Sequence, residues 1–172
     1  MDTSGLSNPL EVMPESIYRP MWEHVSNVID AGAVVVTQEI YLEMVRIPGI
    51  VGSCVKRNRS ALVLEIGEGD WDWEGYVEHT SRMQRELGHL ISEFNGGSKR
   101  TIGLNDLSII ALEKTLELPV VSMEAEGQQS EKKARIPQVC AMEKVERLRF
   151  NDFLERVKFK NEWTAETAVL DL

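Results

Sequence analysis

The sequence predicts an α/β domain with a doubly wound parallel sheet, on three observations. Short β-branched runs, AVVVT at 33–37 and PVVSM at 119–123, alternate with stretches of helical periodicity. Their cores are apolar without alternation, as in strands covered on both faces. The 172 residues, 42% hydrophobic and 27% charged, suit one globular domain with a full core. Right-handed crossovers would then bring the strand C-termini to one rim, where ligands gather beside helix N-termini.

The elements follow in order. Ser16 to Ala31 reads as a helix, because Ile17, Met21, Val25, Val28 and Ile29 recur at helical spacing and Gly32 can cap its end. After the AVVVT strand, QEIYLEMVRI is helical and is stopped by Pro48-Gly49. Leu62 to Ile66 is the next strand, and a long helix from Asp72 to Phe94 presents Val77, Met83, Leu87, Leu90, Ile91 and Phe94 to the core. NGGSKRTIG is the clearest loop. A helix begun at Asp106 packs Leu107, Ile110, Ala111, Leu116 and Leu118 inward and runs into strand Pro119 to Met123. EAEGQQSEKKARIP reads as a polar surface loop, Val145 to Phe150 as the last strand, and Asn151 or Asp152 as the start of a short helix ending near Val157. Residues 1–158 form the domain, and 159–172 form a weakly patterned tail.

Four acids fall at strand ends or in the helices that follow: Asp2, Glu43, Asp106 and Glu124. Converging carboxylates bind hard divalent cations through oxygen and leave coordination sites for water and phosphate. A cation so held stabilises charge on a phosphodiester. Taken singly, each acid is a weak signal, and Asp106 also suits a helix cap.

Other features have plainer explanations. In GEGDWDWEGY, Asp70 or Asp72 caps the long helix while Trp71 and Trp73 cover the core. His79 and His89 stand ten residues apart, about 1,000° of helix, and so share no face. Cys54 and Cys140 lack metal spacing and read as buried reduced thiols. No nucleotide-binding glycine motif and no nucleophile elbow occurs. The net charge of −9 argues against a general nucleic-acid coat but allows an enzyme whose metal-binding acids contribute to that sum. Lys56, Arg57 and Arg59, then Lys99 and Arg100, then Lys132, Lys133 and Arg135, form basic clusters that solvated loops would also explain. The Lys99-Arg100 pair leads into the Asp106 helix and is the first choice for RNA phosphates. No segment is long and apolar enough to span a membrane, and no secretory signal opens the chain, so a cytoplasmic protein is expected.

DTS at 2–4, E-x-x-x-E-M after VVT, LNDLSIIALEKTLELPVVSME, and RIPQVC with LRFNDFLERV together resemble the PIN-domain ribonucleases. More narrowly, they resemble a VapC-like toxin branch, a PIN-like domain of unknown function. The resemblance implies a three-layer α/β/α sandwich with a small parallel sheet and a metal-dependent endoribonuclease site using Mg²⁺ or Mn²⁺. It assigns Asp2, Glu43, Asp106 and Glu124 as catalytic and metal-binding acids, with Ser4, Asn105 and Ser122 in support. Glu124 departs from the shorter acid or amide usual at its position. Only Met1 precedes Asp2, so the first strand is expected to be truncated and Asp2 less firmly held. The expected partners are an RNA substrate and a protein antitoxin, with a homodimer possible. The alternatives are a catalytically degraded module that binds RNA or a protein, and a DNA-directed nuclease.

Overall fold

The computed structural model describes residues 1–97, 101–126 and 134–159, and centres on extended segments only a few residues long. Val120–Val121 (β1) and Arg147–Leu148 (β2) pair in parallel, with Val120 opposite Arg147 and Val121 opposite Leu148. The Asp2 amide donates to the Val121 carbonyl at 2.9 Å, and the Met1 amino group donates to the Val35 carbonyl at 3.0 Å. Val36 in turn makes a parallel bridge to Val63. Met1 and Asp2 therefore lie between the Val35–Val36 segment and β1, at 3% and 5% exposure. The short first segment is thus held by backbone bonds on both sides. It is also anchored by an ion pair of 2.7 Å between the Met1 ammonium and Glu113, both nearly inaccessible.

Helices surround this row. In chain order they are α1 (Ser4–Val12), α2 (Glu15–Asp30), α3 (Gln38–Met44), α4 (Gly49–Arg57), α5 (Arg59–Leu62), α6 (Trp73–Glu86), α7 (Leu104–Thr115), α8 (Ile136–Glu143) and α9 (Phe150–Arg156). Helix α2 buries Met21, Trp22, Val25 and Ile29 and packs on α4, while the Trp22 indole donates to the Met13 carbonyl at 2.6 Å. Helix α7 is buried from Leu107 to Glu113 and lies against α6, α8 and β1. The described chain is a largely helical α/β arrangement with a small parallel sheet, and none of its helices is long and apolar enough to cross a membrane.

Several expected elements differ. The strand expected at Leu62 to Ile66 is reduced to a bridge at Val63: Leu62 ends α5, and Ile66 is 58% exposed. The long helix stops at Glu86 and continues as two 3-10 turns, Gly88–Leu90 and Glu93–Asn95, which leaves Phe94 outside the core, while within the helix Tyr76 and Met83 rather than Val77 are buried. Ile17 precedes a break at Tyr18 and is exposed, and Leu118 follows α7 and is largely exposed. Helices α1, α4, α5 and α8 were not anticipated. Helix α4 begins where Pro48-Gly49 was expected only to end one. The distant Glu15 carboxylate accepts from the Ile50 and Val51 amides at 2.9 and 3.1 Å and satisfies its first turn. Asp72 caps α6 as expected, accepting from the Gly75 amide at 2.9 Å. Both cysteines are buried free thiols, and burial pushes the Cys140 thiol up to about 12.

Candidate acidic site

The site starts from the Met1–Asp2 segment, which delivers Asp2 to the C-terminal end of β1. One Asp2 oxygen, Oδ2, accepts from the Ser4 amide at 3.2 Å, from the Ser4 hydroxyl, and from the Ser122 hydroxyl at 3.1 Å. The same serines reach across to the turn after β1. Ser4 Oγ accepts from the Met123 amide at 3.0 Å, and Ser122 Oγ from the Glu124 amide at 3.2 Å. Two hydroxyls thus fasten the start of the chain to the turn bearing Glu124.

Thr37 ends the AVVVT segment at the N-cap of α3, and that helix projects Glu43 toward the same rim. Glu43 Oε2 accepts from the Thr3 hydroxyl at 2.8 Å, and Oε1 from the Asn105 amide nitrogen at 2.9 Å. Asn105 lies in the first turn of α7 beside Asp106. Asp106 Oδ2 accepts from the Gly103 amide at 3.0 Å, so Asp106 does serve its helix, reaching back to the residue before its first turn. Glu124 Oε2 accepts from the Ile136 amide at 3.0 Å, at the first turn of α8. A negative group there is favoured by the helix dipole.

Burial pushes the Asp106 carboxyl up to about 7, and the charges of Asp2, Glu124 and Glu43 add to the rise against the Gly103 amide, which opposes it. Burial also raises the Glu124 carboxyl. The Ile136 amide opposes that rise, the Asp2 charge adds to it, and Arg135 and Arg147 oppose it. The structure thus brings Asp2, Glu43 and Glu124 within electrostatic reach of Asp106, and Asp2 within reach of Glu124. The charges that bear on Asp106 are the three other carboxylates. Like-charge crowding in a partly desolvated site is a reservoir of unfavourable energy that a cation relieves.

Three of the four acids divide their oxygens in the same way. Asp2, Asp106 and Glu124 each commit one oxygen to the protein, and Asp2 Oδ1, Asp106 Oδ1 and Glu124 Oε1 accept no hydrogen bond among the described residues. Glu43 uses both of its oxygens. Among the described residues, no three Asp, Glu, His or Cys side chains lie close enough to hold a metal ion as they stand. The donor chemistry fits a hard divalent cation, with anionic oxygens under mutual repulsion. The spacing requires the carboxylates to draw in around it.

Lys99 and Arg100 lie outside the described residues. Sequence reasoning missed Thr3, although it lies inside the DTS motif, and Arg147, whose guanidinium donates to the Ser122 carbonyl at 3.3 Å and to Glu126 at 2.6 Å. Nothing in the spacing of VERLRF marks Arg147, because its placement comes from the parallel pairing of β2 with β1.

A family model described as a domain of unknown function (DUF4411) matches residues 1–161, and the chain belongs to that family. No curated protein and no solved structure matches it significantly.

Proposed function

We propose that this member of the DUF4411 family is a metal-dependent endoribonuclease of the PIN-like type, with Asp2, Asp106 and Glu124 turning their free oxygens to Mg²⁺ or Mn²⁺. The observation that carries the reading is the approach of Asp2, Glu43 and Glu124 to Asp106 from distant parts of the chain, with one oxygen each of Asp2, Asp106 and Glu124 accepting no hydrogen bond among the described residues. A cation held there would supply positive charge beside a phosphodiester and make water more acidic. The chain's own residues prepare that site. Ser4 and Ser122 fix Asp2, the Gly103 amide fixes Asp106, the Ile136 amide fixes Glu124, and Glu43 orients Thr3 and Asn105 around them. The order of extended segments, with Met1–Asp2 in the middle, is compatible with the three-layer α/β/α sandwich that belongs to this reading. A toxin role, opposition by a protein antitoxin and a homodimer rest on the sequence resemblance, and a cytoplasmic setting rests on the sequence pattern alone.

The test is cleavage of single-stranded RNA by wild type and by Asp106→Asn, purified in parallel, in Mn²⁺ and in EDTA. Cleavage by wild type in Mn²⁺ alone is the expected result, and equal cleavage by the variant overturns the proposal. A parallel melt should show wild type stabilised by about 2.7 kcal/mol at a hundredfold excess of Mn²⁺ over its dissociation constant, with no such gain for the variant. Duplex and single-stranded DNA in the same assay separate a DNA-directed enzyme. One observation favours a second reading, a non-catalytic binding module: no three acids are gathered at ion-holding distance among the described residues. That module binds RNA in EDTA, cleaves nothing and is indifferent to Mn²⁺.

A further inference from the structure

The acidic site is asymmetric. On the side of Asp106 and Glu43 the carboxylates' hydrogen-bond partners among the described residues are an amide and neutral side chains, and Arg46 shares a cavity with Glu43 and Thr3. On the side of Glu124 stand two guanidinium groups from different elements. Arg147 opens β2, and its side chain is only 12% exposed. Its Nη1 donates to the carbonyl of Ser122, the residue whose hydroxyl holds Asp2, and its Nη2 pairs with Glu126 at 2.6 Å. Arg135 directly precedes Ile136, whose amide holds Glu124, and its guanidinium makes no hydrogen bond among the described residues. Both arginine charges act on Glu124.

The Glu126 pairing is uneven in a telling way. A guanidinium withdrawn from water is matched to a carboxylate that is 67% exposed. The pair therefore separates at small cost on the glutamate side, since an exposed carboxylate regains its hydration and exposed ion pairs are worth little. The guanidinium cannot turn to water as readily, and it needs another anion. Arginine's planar fork suits phosphate oxygens, which it binds through two parallel hydrogen bonds.

We infer that Arg135 and Arg147 form a phosphate subsite for single-stranded RNA beside the acidic site, with Glu126 occupying Arg147 until a backbone phosphate displaces it. The inference rests on the RNA reading above and names the residues that receive the substrate. It puts a negatively charged backbone on the flank of the acid cluster where both arginine charges act on Glu124. The carboxylates then stay free for the metal.

The experiment measures binding of a fluorescently labelled single-stranded RNA 12-mer to the full chain in Ca²⁺, by polarisation across a salt series, with RNA integrity checked on gels. Arg135→Gln and Arg147→Gln are each expected to weaken binding about tenfold, and to lower the salt slope by about 0.7 per lost phosphate contact. Glu126→Gln is expected to tighten binding severalfold, which loss of a merely structural ion pair would not do. Arg147→Lys should recover only part of the affinity, since the fork is lost. Far-UV spectra and melts exclude unfolding, and Arg135→Gln and Glu126→Gln keep the test open if Arg147→Gln does not fold. Unchanged affinity in folded Arg135→Gln and Arg147→Gln, or weaker binding by Glu126→Gln, overturns the inference. So does a wild type that binds no RNA. The two readings fail separately. Arginine-dependent RNA binding without cleavage in Mn²⁺ keeps the subsite and removes the nuclease, whereas cleavage indifferent to both arginines does the reverse.

Discussion

Replacing Asp106 by asparagine should strengthen the metal-free protein while abolishing its response to Mn²⁺. The folded chain holds this carboxyl at about 7, chiefly by burial and then by the neighbouring acids. In the unfolded chain it titrates near its ordinary value of about 3.9. An acid whose folded pKa is raised contributes most to stability when protonated in both states. That contribution falls as pH rises from about 4 to about 7 and is flat above. At full ionisation the loss is on the order of 4 kcal/mol. Asparagine keeps an oxygen for the Gly103 amide, but its own nitrogen needs a partner. The net gain at pH 8 is therefore expected to be about 1–3 kcal/mol. Urea unfolding in EDTA from pH 5 to pH 8 measures it, as the difference between variant and wild type. That subtraction removes the titrations of groups that do not feel the Asp106 charge. The variant's advantage should widen toward pH 7 and then level off, and saturating Mn²⁺ should reverse the order by stabilising wild type alone. A difference that does not change with pH, or a wild type that is the more stable at pH 8 without metal, would refute the argument that unrelieved burial and repulsion act on Asp106.

Other perturbations test the frame around the site. Gly52→Ala puts a Cβ 1.7 Å from the Ile47 carbonyl oxygen, a backbone atom that cannot step aside, so a loss of about 3 kcal/mol or more is expected in urea melts. Ser122→Ala removes the hydroxyl shared by Asp2 and the Glu124 amide. It should cost about 1–2 kcal/mol without metal and lower Mn²⁺ affinity in a calorimetric titration, because the two proposed ligands Asp2 and Glu124 lose their positioning together. Glu143, 8% exposed, pairs with Arg82 and Lys114, and Glu143→Leu should destabilise by about 2–3 kcal/mol with both cations left behind. The Glu143 carboxyl is held low: burial opposes ionisation, but Arg82 and Lys114 outweigh it. Its stabilisation is therefore present above about pH 4.5 and is lost on further acidification, so the gap between variant and wild type should narrow there.

Periodicity made the core of α2 and the run of α7 legible, because both bury one continuous apolar surface and both start or stop at recognisable residues. It overextended the helix from Asp72, since the run to Phe94 is helical in composition while the chain turns at Gly88 and again at Gly96, where φ is +68°. Helix α4 escaped notice because its capping group, Glu15, is far off in sequence and no local pattern encodes it. Helix α8 follows a polar stretch, and its start at Ile136-Pro137 with Gln138 reaching back to the Arg135 amide at 3.0 Å was a readable signal that went unread. The strands were overlong in prediction because a β-branched run reports burial, whereas the length of a ladder depends on what lies alongside. The four acids were singled out because Glu124 follows an apolar run, Asp106 stands at the start of an apolar helix, and the family resemblance pointed to all four. Their hydrogen-bond assignments were not readable, and neither was the placement of Arg147, since both depend on segments brought together from opposite ends of the chain.

The division of labour within each carboxylate explains how the fold tolerates the cluster. Asp106 and Glu124 each satisfy a helix amide with one oxygen, and Asp2 ties two serines with one of its own. Each structural bond is available to a neutral amide side chain as well, whereas the remaining oxygen is useful mainly for its charge. Alanine and amide variants should therefore part company. Asp106→Ala removes the cap and the charge together, so the cap loss of about 1 kcal/mol offsets part of the relief from repulsion. Asp106→Asn keeps the cap and retains the full relief. Both lose Mn²⁺ stabilisation. If the acids served the fold alone, the amide variants would be silent in every assay and the alanine variants uniformly harmful. A more stable Asp106→Asn that no longer responds to metal is the pattern expected of an acid kept for its charge.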